Sequence, residues 1–245
     1  MAETLFVSDL HLDESRPRIT SLFERFLAGE ARSAAALYIL GDLFETWIGD
    51  DDDAALPARV AGALRALADT GVPIYFVAGN RDFLLGAEYA ARAGLTLLAD
   101  ASVHVIAGQP TLLMHGDTLC TDDDAYQAFR AQVRDEHWRR AFLAQPLDAR
   151  RAFAARARAG SRQHTRIAPE VLMDVNAAAV AAALRAAGVR RLIHGHTHRP
   201  AIHRLALDGQ PAERIVLGDW YTQGSRLRVG PGGLALENIA PAATD

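Results

Sequence analysis

Leu5-Phe6-Val7-Ser8-Asp9-Leu10-His11 opens the chain with an apolar run that ends in a carboxylate and an imidazole. The construction recurs in Leu37-Tyr38-Ile39-Leu40-Gly41-Asp42 and in Ile74-Tyr75-Phe76-Val77-Ala78-Gly79-Asn80-Arg81-Asp82. It appears twice more, in Leu112-Leu113-Met114-His115-Gly116-Asp117 and in Leu192-Ile193-His194-Gly195-His196-Thr197-His198. Each apolar run has the length of a strand, and each is followed by groups that can ligate a cation. Five strand ends arranged in this way can deliver Asp, Asn and His side chains to one rim.

Around these ends the pattern alternates. Thr4–Ser8, Leu37–Leu40, Pro73–Val77, Thr111–Met114 and Arg191–Ile193 read as strands. Pro17–Gly29, Ala54–Thr70, Leu84–Ala93 and Asn176–Ala187 read as helices between them. Strands alternating with helices predict an α/β fold with mostly parallel strands. After His198 the texture changes to short strands at Ile202–Leu207, Glu213–Leu217, Arg226–Val229 and Leu234–Asn238. They predict a second, more antiparallel sheet packed on the first. The segment Asp124–Ile167 is helical throughout and breaks the rhythm, as a hairpin inserted into a single domain spanning 1–245.

The chain has 245 residues, half of them hydrophobic, which is enough for one substantial core. Net charge is −4, and all 26 basic residues are Arg. No global basic field points to nucleic acid, and no protein partner is implied. Between Ala125 and Glu170, however, ten Arg face four acidic residues, a local charge of +6. A basic helical cap suits an anionic substrate or an anionic membrane surface. Cys120 is the only cysteine, so no intrachain disulfide forms, which suits a reducing compartment. The N-terminus enters a strand at once and does not read as a signal peptide. No stretch approaches the roughly 18 apolar residues of a spanning helix.

The donors suggest the chemistry. Asp9 and His11, at i and i+2, point the same way if the strand continues through them. Gly41 lets the backbone turn before Asp42, whose two oxygens can bridge two cations. Asn80 offers a neutral oxygen. His194, His196 and His198 alternate along an extended run, and alternation alone does not choose among them. Mixed oxygen and nitrogen donors without thiolate suit Mn²⁺, Fe²⁺ or Co²⁺ better than a closed structural zinc site. Two such ions, about 3.5–4 Å apart, clamp a phosphate group well.

Asp9-x-His11, Gly41-Asp42, Gly79-Asn80, His115-Gly116 and Gly195-His196-x-His198 together resemble the calcineurin-like metallophosphoesterases, from Ser8 to His198. The resemblance implies a four-layered α/β/β/α sandwich with a helical cap insertion at about 124–167. It implies two Mn²⁺ held by Asp9, His11, Asp42, Asn80, His115, His196 and His198, with His194 a structural neighbour. Arg81 departs from the family, which usually has His there. That departure, with Gly41-Asp42-Leu43-Phe44-Glu45-x-Trp47, Met173-Asp174-Val175-Asn176 and Gly195-His196-Thr197-His198-Arg199-Pro200, resembles members that split a UDP-linked diacylglucosamine. Their products are UMP and 2,3-diacylglucosamine 1-phosphate, in lipid A synthesis on the cytoplasmic face of the inner membrane. The resemblance then places substrate contacts on Asn80, Arg81, Asp123, Ser161, Thr165 and His196. Thr165 and Ala168 stand where the family usually has Asn and Lys.

Arg81 has a physical rationale. A sugar-phosphate leaving group is a weak base and needs little proton donation, whereas a planar, permanently charged guanidinium can grip phosphate oxygens. Trp138, Phe142, Leu143 and Phe153, interspersed with Arg139, Arg140, Arg150, Arg151 and Arg156, could face acyl chains on one side and lipid on the other. Trp47 and Asp50–Asp53 could line a pocket, but read more simply as a packed aromatic beside a solvated acidic loop.

Overall fold

A computed structural model describes residues 2–167 and 174–241. Parallel strands β1 (Thr4–Val7), β2 (Ala36–Leu40), β3 (Ile74–Val77) and β4 (Leu95–Leu98) lie side by side. Between them run α1 (Pro17–Ala28), α2 (Ala55–Ala68) and α3 (Ala87–Ala93). The second sheet begins with β5 (Ser102–Ile106) and β6 (Gln109–Leu113), then β7 (Arg191–His194), β8 (Ala201–Leu207) and β9 (Gln210–Val216). Last come β10 (Gly224–Gly230) and β11 (Gly233–Ile239). The six-stranded sheet runs β11-β10-β1-β2-β3-β4 and the five-stranded one β5-β6-β7-β9-β8.

Period-two burial explains the layering. Leu5, Val7, Leu37, Ile39, Ile74 and Phe76 turn one way, onto α1, α2 and α3. Their neighbours Phe6, Tyr38, Leu40 and Val77 turn the other way and meet Leu113, Ile193, Ile215 and Leu227 between the sheets. On the far side, Leu112 and Leu192 pack on Val180 and Leu184 of a helix at Ala177–Ala187. Strands buried on both faces read as continuous apolar runs, as these do. The result is helix, sheet, sheet, helix.

The two sheets do not divide the chain as its sequence suggests. β6 and β7 belong to the second sheet, and the late strands split: β8 and β9 join β7, while β10 pairs antiparallel with β1. β4 and β5 are additional edge strands. Thr96 and Leu97 of β4 and Val103 and Val105 of β5 stay exposed, so neither segment carries the apolar run of a buried strand. The third helix begins at Ala87 rather than Leu84, because the Asp50 carboxylate accepts from the backbone N–H groups of Gly86 (2.9 Å) and Tyr89 (2.9 Å). An outside carboxylate thus caps that helix start.

The inserted segment is three helices rather than a hairpin: α4 (Asp124–Arg134), α5 (Glu136–Leu143) and α6 (Leu147–Ile167), which makes the Ala177–Ala187 helix α7. Asp135, in extended conformation, ends α4 and caps α5 by accepting from Trp138 N at 2.9 Å. Trp138, Phe142 and Phe153 pack together, with ring centroids 4.9–5.6 Å apart. Nor is the acidic loop merely solvated. Arg150, only 2 % exposed, pairs with Asp51 and donates to Ile48 O at 2.7 Å, while Arg151 pairs with Asp52 and Asp53. The loop therefore straps α6 to the body: Arg150 is committed inward, and Arg151 is held at the surface by its two carboxylate partners.

Candidate metal centre

Beyond the ends of β1, β2 and β7 the chain does not stay extended. Asp9 (φ 53°), His11 (φ 47°), Asp42 (φ 54°), His196 (φ 68°) and His198 (φ 55°) all sit in the left-handed region. Among the described residues only seven non-glycine residues have positive φ, so five of them fall on this one set. Such conformations are costly for non-glycine residues and concentrate at functional sites. The residues therefore converge because tight turns re-aim them, and not because a strand alternates through Asp9–His11 or His194–His198. Close approach of the turns has its own requirement. A Cβ on Gly79 would stand 2.2 Å from Asp42 Oδ1, and one on Gly195 would stand 2.3 Å from Asp9 Oδ2.

All seven candidate ligands meet. His11 Nε2 faces His198 Nε2 at 3.2 Å, and His198 Nε2 is 3.2 Å from Asp9 Oδ1. Asp42 turns Oδ2 toward His11 Nε2 (3.7 Å) and Oδ1 toward His115 Nε2 (3.7 Å). Asn80 Oδ1 lies 2.9 Å from His115 Nε2 and 3.0 Å from His196 Nδ1. Two overlapping triads result, Asp9-His11-His198 and Asp9-Asp42-His115, each with donor atoms within 4.8 Å of one another.

The lone pairs fit cations. His115 Nδ1 is 2.9 Å from the Leu40 carbonyl, which can only accept, so Nδ1 carries the hydrogen. In the neutral ring Nε2 is then a lone pair, and it points at the oxygen of Asn80, another acceptor. A cation between acceptors removes the conflict. The field is right as well. Without a cation the conflict is met by protonation instead: burial opposes a charge on His115, yet the Asp42 and Asp9 carboxylates outweigh it and push its pKa up to about 9, so the site draws a positive charge to this point. Burial likewise disfavours charge on Asp9, but His198, His115 and His11 hold its carboxyl far below the usual carboxylate range. Burial pushes His11 down to about 4, and burial with the nearby His115 does the same to His196. Those two imidazoles are neutral donors.

Asp82 carries a structural role that its place in Gly79-Asn80-Arg81-Asp82 does not announce. It is fully buried and accepts from Gly79 N (2.8 Å), Leu43 N (2.7 Å) and Asp42 N (3.3 Å). One carboxylate thus stitches the Asp42 turn to the Asn80 turn. Burial and the Asp42 charge push Asp82 up to about 7. Asp82→Ala leaves three backbone donors buried and unbonded, at roughly 1–3 kcal/mol each. Destabilisation of about 3 kcal/mol or more is expected in urea unfolding, and a change under about 0.5 kcal/mol, the range of ordinary surface substitutions, contradicts the role. Asp117 does similar work toward the cap: it accepts from Tyr126 Oη at 2.7 Å and Arg130 Nε at 2.7 Å.

A cavity of about 390 Å³ opens from Asn80 and Arg81 and runs beneath α4, α5 and α6. Phe129, Val133, Trp138, Phe142 and Phe153 make its walls largely apolar, and Trp47 closes one side. Arg81, Arg130, Arg134 and Arg158 supply the positive groups. Arg81 N also donates to Asp42 Oδ1 at 2.8 Å. Asp123 caps α4 by accepting from Tyr126 N at 3.0 Å, next to cavity residues Ala125 and Tyr126. The side chains of Ser161 and Thr165, and Ala168 as a whole, lie outside the described residues.

The profile of the calcineurin-like phosphoesterases matches residues 3–200. The UDP-2,3-diacylglucosamine hydrolase of Xanthomonas campestris pv. campestris is 57% identical over 244 residues, covering 97% of this chain and 99% of the relative. Its namesake from Stenotrophomonas maltophilia (strain K279a) is 56% identical, with 97% and 98% covered. Among solved structures, vacuolar protein sorting 29 from Cryptosporidium parvum shares the fold, with a TM-score of 0.50 at 12% identity and 98% of each chain covered.

Proposed function

The chain belongs to the calcineurin-like phosphoesterase family, and we propose that it hydrolyses the diphosphate of UDP-2,3-diacylglucosamine. The products are UMP and 2,3-diacylglucosamine 1-phosphate, a step of lipid A synthesis. One observation carries the reading: an apolar cavity lined with guanidinium groups begins at Asn80, whose oxygen faces the candidate metal donors His115 and His196. That combination matches a substrate with a diphosphate at one end and acyl chains at the other. Relatives at 57% and 56% identity that are UDP-2,3-diacylglucosamine hydrolases support it.

Asp9, His11 and His198 would hold one Mn²⁺, and Asn80, His115 and His196 a second, with Asp42 facing both. When bound, the metals supply an activated water near neutral pH and neutralise charge on the phosphoryl oxygens. The protein does the rest. Arg81 grips the diphosphate and stabilises charge on the departing sugar phosphate, in place of a proton donor. Asp82 and the turn glycines keep the donors in place. Trp138, Phe142 and Phe153 exclude water from the acyl chains and anchor them. Asp123, Ser161, Thr165 and His196 complete the substrate contacts. The whole chain works as one domain, with 124–167 as its cap. Hydrolysis of the UDP-lipid in ¹⁸O-water with Mn²⁺ tests the reading: label in UMP is expected, and no turnover of this lipid removes the assignment.

The substrate is a lipid, so we place the protein at the cytoplasmic surface of the inner membrane. No helix of the described residues is long and apolar enough to cross a membrane. Surface contact then falls to the cap, where Phe129 (42%) is exposed on α4 and Leu143 (37%) on α5, the helix that also carries Arg139 and Arg140. Reversing both of those charges is expected to halve flotation with anionic liposomes or reduce it further. Unchanged flotation removes the cap from the membrane contact.

A further inference from the structure

Glu45 lies just past the Asp42 turn and ligates nothing in the proposed chemistry. Its Oε2 stands 2.9 Å from Nδ1 of His11, the ring nitrogen that points away from the candidate metals. Its Oε1 is paired with Arg158, which comes from cap helix α6. Arg16 lies 3.7 Å from Oε2 as well. Neither His11 Nδ1 nor Glu45 Oε2 makes a hydrogen bond among the described residues; the two buried atoms meet as a close pair, imidazole against carboxylate. The outer nitrogens of His115 and His198 look to the body of the protein: His115 Nδ1 to Leu40 O, and His198 Nδ1 to Asp219 at 3.8 Å. Of these outer partners, only Glu45 also holds the cap.

We propose that Glu45 is a positioning residue that couples the cap to the metal centre, through His11 on one side and Arg158 on the other. A carboxylate behind a ligating histidine fixes its tautomer and ring orientation, and losing such a partner typically weakens metal binding about 10–100-fold. Arg158 holds the second oxygen and so fixes the plane of that carboxylate. Because Arg158 also lines the cavity, the position of α6 bears both on the substrate and on one metal ligand. The inference rests on the metal-centre reading above.

Mn²⁺ titration followed by electron paramagnetic resonance, without substrate, tests it apart from turnover. Glu45→Ala is expected to weaken one Mn²⁺ by about 10-fold or more. Glu45→Gln, which keeps an oxygen acceptor for the imidazole N–H, recovers part of that loss. Removing the Arg158 charge with Arg158→Met shifts affinity directly through space in any background. The coupling is the difference between backgrounds: its effect should be about 3–5-fold more weakening with Glu45 present than in the Glu45→Ala background. Equal effects in both overturn the coupling, and parent-like affinity in both Glu45→Ala and Glu45→Gln overturns the positioning role. If the parent protein binds no Mn²⁺, the metal-centre reading itself fails.

Discussion

Asp42→Ala is expected to lower kcat/KM for the UDP-lipid by about 10³-fold or more, and to remove at least one bound Mn²⁺. Asp42 is the donor whose two oxygens face opposite sides of the cluster, His11 at 3.7 Å and His115 at 3.7 Å. Without it, one of the two buried carboxylates that offset the proposed dications disappears. Loss of a single transition-state donor costs about 10²–10³ in kcat, and loss of a group that also binds the cofactor costs more. The fold should survive. Asp82 still accepts from Gly79 and Leu43, and it is relieved of a neighbouring like charge. Asp42→Asn keeps the left-handed turn, which Asn tolerates, and should fall between the two. Metal analysis with steady-state kinetics checks this, and a loss smaller than 10-fold with full metal content would falsify the central role of Asp42.

Ala154→Trp is expected to separate acyl recognition from phosphate chemistry. Ala154 lies on α6 and lines the 390 Å³ cavity. An indole there fills space otherwise open to several methylene groups. Each buried methylene is worth about 0.8 kcal/mol, so excluding three or four removes roughly 2–3 kcal/mol of binding. At about 1.4 kcal/mol per tenfold, kcat/KM for the diacylated substrate should fall by about 30–100-fold. A small phosphodiester without acyl chains should lose much less, because no candidate metal donor comes from α6 and, among the described residues, that helix meets the donors through the Arg158–Glu45 pair. Equal losses on both substrates would place the acyl chains elsewhere.

The candidate metal donors were legible in the sequence because each is tied to a local pattern, an apolar strand followed by a turn residue and a group able to ligate. All seven come together, although the strand alternation invoked for Asp9–His11 and for the three histidines does not exist. The i, i+2 spacing is shared by an extended strand and by a turn that returns the chain. Glu45, Asp82 and Asp117 carry no such local signature. Their roles depend on partners far away in the chain, such as the Asp82 carboxylate on backbone nearly forty residues earlier. The strap between Asp51–Asp53 and Arg150–Arg151 spans a wider gap, 99 residues from Asp51 to Arg150, so the acidic loop reads as solvated until its partners are seen.

Taken by itself, the order of residues determined the α/β class, the helical insertion and the set of candidate cation-binding side chains. Periodicity and turn chemistry act over a few residues, and those features are local. Which strand joins which sheet, where the cap rests and which carboxylates brace the donors were decided only by tertiary packing. Those choices depend on contacts between segments far apart in the chain, whose energies no short window of sequence contains.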